Sequence, residues 1–255
     1  MDQVSAQAGV DKPDALLRVE GLHQSFGGLV AVDTEHLEVQ RGTITALIGP
    51  NGAGKTTLFN VLTGFQRPDR GRWEFDGHDI SGEAPYRIAQ RGMVRTFQLT
   101  RALTRMTVLD NLRLAGTGQS GERLWSALMP FRWRSQEQKL TQKSAQLLQR
   151  FELSGVAEDY AGELSGGQRK LLEMARALMV RPRLLMLDEP VAGVNPTLKQ
   201  SLLAHITGLR DEGMTVVFVE HDMDVVMGIS DWVVCMAAGQ VIAEGPPQAV
   251  GDNQA

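Results

Sequence analysis

The sequence has no long apolar run, one cysteine and no excess of basic residues. No stretch approaches the ~18 consecutive apolar residues that cross a bilayer, and the opening MDQVSAQAGVDKPD lacks the basic and apolar regions of a secretion signal. We therefore expect a cytoplasmic chain without a spanning helix. The single cysteine, Cys235, excludes an intrachain disulfide and a cysteine-based metal cluster.

The charge balance argues against one class of partner. With 26 basic and 30 acidic residues, the net charge is −4. Domains that bind nucleic acid normally carry a basic face or stripe, so no nucleic-acid partner is predicted. The chain of 255 residues, 42% of them apolar, is long enough to bury a substantial core.

A phosphate-binding pattern lies at residues 47–59, LIGPNGAGKTTLF. Gly49, four further residues, then Gly54, Lys55 and Thr56 match the spacing of a loop that binds nucleotide phosphates through backbone amides. The preceding TITALIG predicts a buried strand, and KTTLFNVLTGF predicts an amphipathic helix whose N-terminus favours an anion. A glycine-rich turn without a ligand is the alternative. The predicted ligand is a nucleoside triphosphate with Mg²⁺.

The rest of the pattern predicts an α/β fold with two additions. Residues 1–14 are polar and aperiodic, which predicts a mobile tail before a single domain at 15–250. Short alternating segments between Leu17 and Asp79 predict strands, and residues 86–163 predict an inserted helical lobe. RLLMLDEP and MTVVFVEHD then predict parallel strands, whose carboxyl ends collect ligands.

Acidic residues follow the first of these two strands. Asp188 is placed to reach Mg²⁺ through water, and Glu189 could polarise an attacking water as a general base; a solvated acidic turn is the alternative. A second anion site is predicted at ELSGGQ, where Ser165 can cap a helix and Gly166 and Gly167 expose its first amides. The following helix is predicted to bury one face, formed by Leu171, Leu172, Ala175, Leu178 and Met179.

Four motifs together resemble one family. GPNGAGKTT, LSGGQ, LLMLDEP and the histidine of VVFVEHD look like those of the ATP-binding cassette (ABC) ATPases, over roughly residues 16–248. The resemblance implies a P-loop NTPase core of the ABC type with an N-terminal antiparallel β-subdomain and a helical subdomain. It implies ATP and Mg²⁺ as cofactors and two cassettes packed head to tail. Ser165 and Gly167 of one subunit would then contact the γ-phosphate held by the other.

The resemblance also implies roles for individual residues. Gln98 corresponds to the glutamine that reaches magnesium and senses the membrane partner, and His221 to the switch histidine that contacts the γ-phosphate. The implied catalytic residues are Glu189, His221, Lys55 and Gln98, and the metal-binding residues are Thr56, Gln98 and Asp188. The implied nucleotide-binding residues are Phe26 and Val32 against adenine, Gly49, Asn51, Gly52, Ala53, Gly54, Lys55, Thr56 and Thr57 at the phosphates, and Ser165, Gly166, Gly167 and Gln168 in the LSGGQ motif.

A cassette without a membrane span implies separate partners. By resemblance these are transmembrane permease subunits, a second ABC ATPase subunit that is a copy or a paralogue, and indirectly a substrate-binding protein. The chain would lie peripherally on the cytoplasmic face of the inner membrane. RTFQLTRALTRMTVLDNLRLAG and the insertion ERLWSALMPFRWRSQEQ resemble the ATPases of branched-chain and neutral amino acid importers.

Several alternatives stay open at this level. Close relatives of these ATPases serve urea importers and lipopolysaccharide exporters, and a different class comprises soluble ABC ATPases that act on DNA or ribosomes. An inactive regulatory cassette is opposed by the intact Lys55, Asp188, Glu189 and His221. Residues 84–109 contain no acid, and either a solvated basic face or a docking surface would explain their five arginines, Arg87, Arg91, Arg95, Arg101 and Arg105.

Overall fold

The computed structural model describes residues 7–96, 103–116 and 130–251, without the side chains of 130–136. The chain falls into two compact units, Met1–Arg95 with Pro182–Ala255, and Thr96–Arg181. In chain order the elements are β1 (Ala15–Phe26), β2 (Leu29–Gln40), β3 (Ile44–Ile48), α1 (Lys55–Leu62), β4 (Arg70–Phe75), β5 (His78–Asp79), α2 (Pro85–Arg91), β6 (Met93–Arg95), α3 (Val108–Ala115), α4 (Pro130–Arg150), a 3₁₀ turn (Ser154–Val156), α5 (Gly166–Leu178), β7 (Leu184–Asp188), α6 (Pro196–Asp211), β8 (Thr215–Val219), α7 (Met223–Ile229), β9 (Trp232–Ala237), β10 (Gln240–Gly245) and α8 (Pro247–Gly251).

The first unit contains two sheets. One is antiparallel, in the order β2-β1-β4-β5, and the other runs β10-β9-β3-β8-β7-β6. In the second sheet β9, β3, β8, β7 and β6 are parallel, and β10 is an antiparallel edge strand. Strands β3, β7 and β8 are buried along their whole length, as expected for a parallel sheet covered on both faces. The predicted α/β core with an N-terminal antiparallel sheet is confirmed.

The core of the first unit lies where α1 meets both sheets. Leu58, Phe59 and Leu62 of α1 pack with Leu17 and Trp73 of the antiparallel sheet, and all five are at most 2% exposed. Full burial of an apolar side chain of this size contributes about 1.5–3 kcal/mol relative to leaving it exposed. This packing fixes the helix that begins at the phosphate-binding pattern.

The second unit is helical in its described part. Helix α5 packs against α3 and α4. The predicted apolar face of α5 is buried, from Leu172 at 0% exposure to Leu171 and Leu178 at 6%. The helical unit starts and ends later than the predicted 86–163, because β6 joins the parallel sheet through β7 while α5 packs with the other helices.

The described part of the predicted tail has specific contacts. The Val10 amide donates to Glu244 Oε1 at 2.8 Å, and Lys12 Nζ lies 2.7 Å from Glu244 Oε2. The Lys12 amide donates to Glu38 Oε2 at 2.6 Å. Both carboxylates are buried and come from distant strands, so the polar composition of residues 7–14 gave no indication of these partners. Among the described residues, none of the helices combines the length and apolarity that crossing a bilayer requires.

Candidate active site

The loop between β3 and α1 has a backbone that only glycine accommodates at two positions. Gly49 has φ 148°, and a Cβ there would lie 2.1 Å from the Met236 carbonyl oxygen. Gly54 has φ 97°, and a Cβ there would lie 2.2 Å from the Ala31 carbonyl oxygen. The two glycines of the predicted spacing are therefore required by close backbone approach, and the loop presents main chain where side chains would otherwise stand.

Helix α1 begins inside this loop. Gly54 is its N-cap in the left-handed conformation, and no side chain caps the helix. The first amides of α1 are then available to an anion, and the helix dipole adds partial positive charge there. Among the other predicted phosphate-binding residues, Asn51, Gly52 and Thr56 are exposed, Thr57 is half-buried and Ala53 is buried.

Lys55 is enclosed by the same loop. Its residue is 6% exposed, and its Nζ donates to the carbonyl oxygens of Gly49 at 2.7 Å and Pro50 at 3.0 Å. Burial lowers the pKa of the Lys55 ammonium, while the charges of Glu189 and Asp188 act in the opposite direction. An enclosed ammonium beside uncapped amides fits a polyphosphate.

Asp188 and Glu189 stand at the carboxyl end of β7, as the sequence pattern predicted. Asp188 is 7% exposed, and its Oδ2 lies 2.8 Å from Arg95 Nη2. The Glu189 amide donates to the Val219 carbonyl at 3.0 Å, which extends the ladder with β8 by one residue. Glu189 has φ 48°, a left-handed conformation that costs a residue with a side chain about 1–3 kcal/mol and is found preferentially at functional sites.

The structure brings His221 and Glu189 together. His221 Nε2 lies 3.2 Å from Glu189 Oε1, and the two side chains are 44% and 22% exposed. Glu220 hydrogen-bonds to the main chain on both sides of this pair. Its Oε1 accepts from the Val191 amide and its Oε2 accepts from the His221 amide, both at 3.2 Å. The buried Glu220 thus ties the turn after β7 to the turn after β8.

The residues predicted to contact adenine differ in accessibility. Phe26 ends β1 and is 51% exposed, so its ring offers a face for stacking. Val32 is 0% exposed within the core and offers no surface to a base, contrary to its predicted place beside adenine. It lies on β2, three residues after Leu29 and two after Val30, which are 72% and 42% exposed.

The LSGGQ motif lies in the helical unit and caps α5. Ser165 Oγ accepts from the Gln168 amide at 3.2 Å, and Gln168 Oε1 accepts from the Ser165 amide at 3.0 Å, which forms a capping box. The predicted cap is therefore present. Gly166 adds no side chain over these amides, and a Cβ there would meet nothing within 4 Å. The Ser165 hydroxyl remains exposed at the helix N-terminus.

The stretch that contains Gln98 and the five arginines is only partly described. Gln98 lies outside the described residues, as do most residues of the insertion after 116. The arginines between 84 and 109 do not form one class of surface, because Arg91 Nη2 pairs with Glu83 Oε1 at 2.7 Å whereas Arg95 is buried against Asp188. Neither a solvated basic face nor a docking surface describes Arg95.

Two residues of this site, Arg95 and Glu220, were not among the predicted site residues. Arg95 belongs to the basic stretch 84–109, whose local pattern does not distinguish a buried arginine from an exposed one. Glu220 precedes the histidine directly, so an acid at the tip of an otherwise apolar run, VVFVEHD, was the available signal. The Arg95 side chain and the Glu220 residue are each 4% exposed.

Comparison with known proteins gives one family. The profile of the family described as "ABC transporter" matches residues 32–192. The "Probable branched-chain amino acid transport ATP-binding protein LivG" of Archaeoglobus fulgidus is 42% identical over 238 residues, 93% of this chain and 92% of that protein. The "High-affinity branched-chain amino acid transport ATP-binding protein LivG" of Escherichia coli K12 is 42% identical over 241 residues, 93% and 94% of the two chains. A solved structure, "nucleotide-free ATP-binding cassette from an ABC transporter", superposes with a TM-score of 0.81 at 39% identity, covering 93% of this chain and 94% of that one.

Proposed function

The chain belongs to the ABC transporter family, and on that premise we propose that it is the ATP-hydrolysing subunit of an importer for branched-chain amino acids. The observation that carries the ATPase assignment is the contact of His221 with Glu189, one residue after Asp188. The substrate class rests on the relatives, which are named as branched-chain amino acid transport proteins and of which this chain covers 92–94%.

ATP binds through the loop before α1. The amides at the start of α1 and the Lys55 ammonium contact the β- and γ-phosphates, and Phe26 stacks on adenine. On binding, Lys55 exchanges its carbonyl partners in the loop for phosphate oxygens. Burial lowers the pKa of Lys55, so this cation is already partly desolvated within the loop.

Magnesium fits the donors at this end of the sheet. The Thr56 hydroxyl and the Asp188 carboxylate are hard oxygen ligands of the kind that Mg²⁺ prefers, and Gln98 is the third residue we assign to the metal. Bound Mg²⁺ would neutralise charge on the phosphate oxygens.

The carboxylate of Glu189 is the proton acceptor for hydrolysis. It removes a proton from the water that attacks the γ-phosphorus, and ADP leaves as the bond to the β–γ bridging oxygen breaks. His221 Nε2, 3.2 Å from Glu189 Oε1, orients this carboxylate and can reach a γ-phosphate oxygen. Because Glu220 binds the amide of His221, the histidine main chain is fixed independently of its ring.

The LSGGQ motif of a second cassette completes the site. In its capping box, Ser165 Oγ accepts from the Gln168 amide and keeps its hydroxyl hydrogen for a phosphate oxygen. Ser165 and Gly167 therefore act on nucleotide held by the partner cassette. The pair of cassettes lies peripherally at the cytoplasmic face of the inner membrane, where it binds the transmembrane permease subunits. A substrate-binding protein delivers the amino acid on the other side of the membrane.

The catalytic assignment is tested with Glu189→Gln in the purified chain. We expect ATP binding to be retained and the hydrolysis rate to fall by the ~10²- to 10⁴-fold that a positioned general base contributes. His221→Ala should lower the rate in the same direction. An unchanged rate in Glu189→Gln would remove Glu189 from the chemistry.

The substrate assignment needs a transport experiment in cells. Deleting the gene should reduce accumulation of labelled leucine, isoleucine or valine at micromolar supply, and wild-type protein but not Glu189→Gln should restore it. Loss of urea uptake with normal amino acid uptake, or a defect in outer-membrane lipopolysaccharide, would assign the cassette to a neighbouring branch.

A further inference from the structure

A buried arginine links three elements of the first unit. Arg95 ends β6, and its side chain is 4% exposed. Its Nη2 lies 2.8 Å from Asp188 Oδ2 on β7, and its Nη1 donates to Asn60 Oδ1 at 2.6 Å on α1. The guanidinium also lies 5.4 Å from the centre of the Phe59 ring. One side chain thus joins the strand that carries the predicted magnesium ligand to the helix that begins at the phosphate loop.

A buried ion pair of this kind is a poor source of net stability. Removing both charges from water costs more than their attraction usually returns, so an apolar pair would stabilise the fold as well or better. The guanidinium, however, uses its two ends on different partners, Nη2 on Asp188 Oδ2 and Nη1 on Asn60 Oδ1. Two donors in one rigid plane therefore tie the carboxylate to α1 in a way that a single ammonium cannot. Here the fork is itself fixed by Asn60 and by the Phe59 ring.

We propose that Arg95 is a positioning residue for the metal ligand Asp188. By holding Oδ2 against Asn60 of α1, it limits rotation of the carboxylate and leaves Oδ1 for the magnesium shell. Arg95 contributes orientation and not attraction, since its own positive charge opposes that of the metal. The inference rests on the proposed function, in which Asp188 serves Mg²⁺.

The test compares ATP affinity with Mg²⁺ and ATP affinity with EDTA, using a fluorescent ATP analogue. The ratio of the two affinities measures the metal contribution. Partners that orient a metal ligand typically affect metal affinity by about 10- to 100-fold. In Arg95→Met we expect the ratio to fall by about 10-fold or more while the affinity in EDTA stays within about twofold. Arg95→Lys keeps the charge without the fork and should lie between Arg95→Met and wild type.

A matched control removes an arginine from a different buried carboxylate. Arg18 pairs with Glu38, whose side chain is 0% exposed, in the antiparallel sheet. Arg18→Met should lower the melting temperature without changing the affinity ratio. If Arg95→Met folds poorly, Asn60→Ala provides a second variant, because it removes one partner of the guanidinium while leaving the ion pair and should lower the ratio by a smaller factor.

Three results would overturn the proposal. Equal loss of affinity with Mg²⁺ and with EDTA would make Arg95 purely structural, and a rise in the ratio would show that its charge only repels the metal. An unchanged ratio in Arg95→Met would leave Arg95 without a role toward the metal. The same affinity ratio is measured for Asp188→Asn. If the ratio is unchanged in Asp188→Asn, the proposed magnesium role of Asp188 is itself wrong. If the ratio falls in Asp188→Asn but not in Arg95→Met, only the role of Arg95 is rejected.

Discussion

Alanine at Gly54 should destabilise the first unit far more than alanine at Gly52, two residues earlier in the same loop. Both glycines have left-handed backbones, with φ 97° and φ 79°. At Gly52 a Cβ meets nothing within 4 Å, whereas at Gly54 it lies 2.2 Å from the Ala31 carbonyl oxygen. Both substitutions therefore place alanine in a strained left-handed backbone, but only alanine at position 54 also overlaps with the Ala31 carbonyl oxygen.

The magnitudes follow from these two contributions. A left-handed backbone costs alanine about 1–2 kcal/mol, which is the whole expected effect of Gly52→Ala. The overlap with a main-chain atom adds about 1–3 kcal/mol in Gly54→Ala, as overpacking does in a filled core. We thus expect a loss in free energy of unfolding of about 2–5 kcal/mol for Gly54→Ala. Relief of the overlap moves the start of α1 away from Ala31, so ATP should also bind more weakly.

Urea unfolding of the two variants and wild type provides the measurement. Circular dichroism follows both units, and tryptophan fluorescence includes Trp73, which is 1% exposed in the core of the first unit and donates to the Leu62 carbonyl at the end of α1. Equal free energies of unfolding for Gly52→Ala and Gly54→Ala would refute the reasoning, because the close approach to Ala31 would then have no energetic consequence.

Three further variants test the binding residues and the helical unit. Lys55→Ala should weaken ATP binding by about tenfold or more, the equivalent of ~1.4 kcal/mol, measured by equilibrium titration and contradicted by unchanged affinity. In a Glu189→Gln background, Mg²⁺ with ATP should shift the chain toward dimer in sedimentation, and Ser165→Arg should abolish that shift while monomer ATP binding persists; a dimer indifferent to both would reject the role of Ser165. Burial, with a smaller contribution from Arg181, lowers the pKa of Lys143 to about 8. Holding this cation therefore costs stability below pH 8, and the cost is relieved as pH rises from about 8 to the unfolded value near 10.4. Lys143→Met loses the hydrogen bond from Nζ to the Met179 carbonyl at every pH, but its stability relative to wild type should be greater at pH 7 than near pH 10.5 in urea unfolding; the same difference at both pH values would contradict this.

Local patterns in the sequence were sufficient to predict the elements that carry the site. The phosphate loop lies between a buried strand and a helix beginning at Lys55, and the capping role of Ser165 is present as predicted. These features depend on residues within a few positions of one another. Backbone propensity, helix capping and apolar periodicity act over the same short distances, which is why one sequence reveals them.

Pairings across the sheet could not be predicted in this way. The contact of Arg95 with Asp188 joins residues 93 positions apart. A single arginine in a basic stretch has the same local pattern whether it is exposed or buried. Val32 shows the same limit, because alternation identifies its strand but not which face is covered by α1 and which is open to a base. Both depend on packing that only the assembled sheet and helix determine.

The order of strands in the parallel sheet explains why these side chains meet. The neighbouring strands β3, β8, β7 and β6 end at one edge of the sheet. The phosphate loop follows β3, the Glu220–His221 turn follows β8, Asp188 and Glu189 stand at the end of β7, and Arg95 ends β6. Asp188 pairs in register with Val219, and the Glu189 amide continues that ladder, so Glu189 is level with the turn that bears His221. Strands lie ~4.8 Å apart, which brings side chains of adjacent ends within contact distance without any dedicated loop. The 3.2 Å contact between His221 and Glu189 is therefore a consequence of strand order and register, and a one-residue slip of β7 against β8 would remove it.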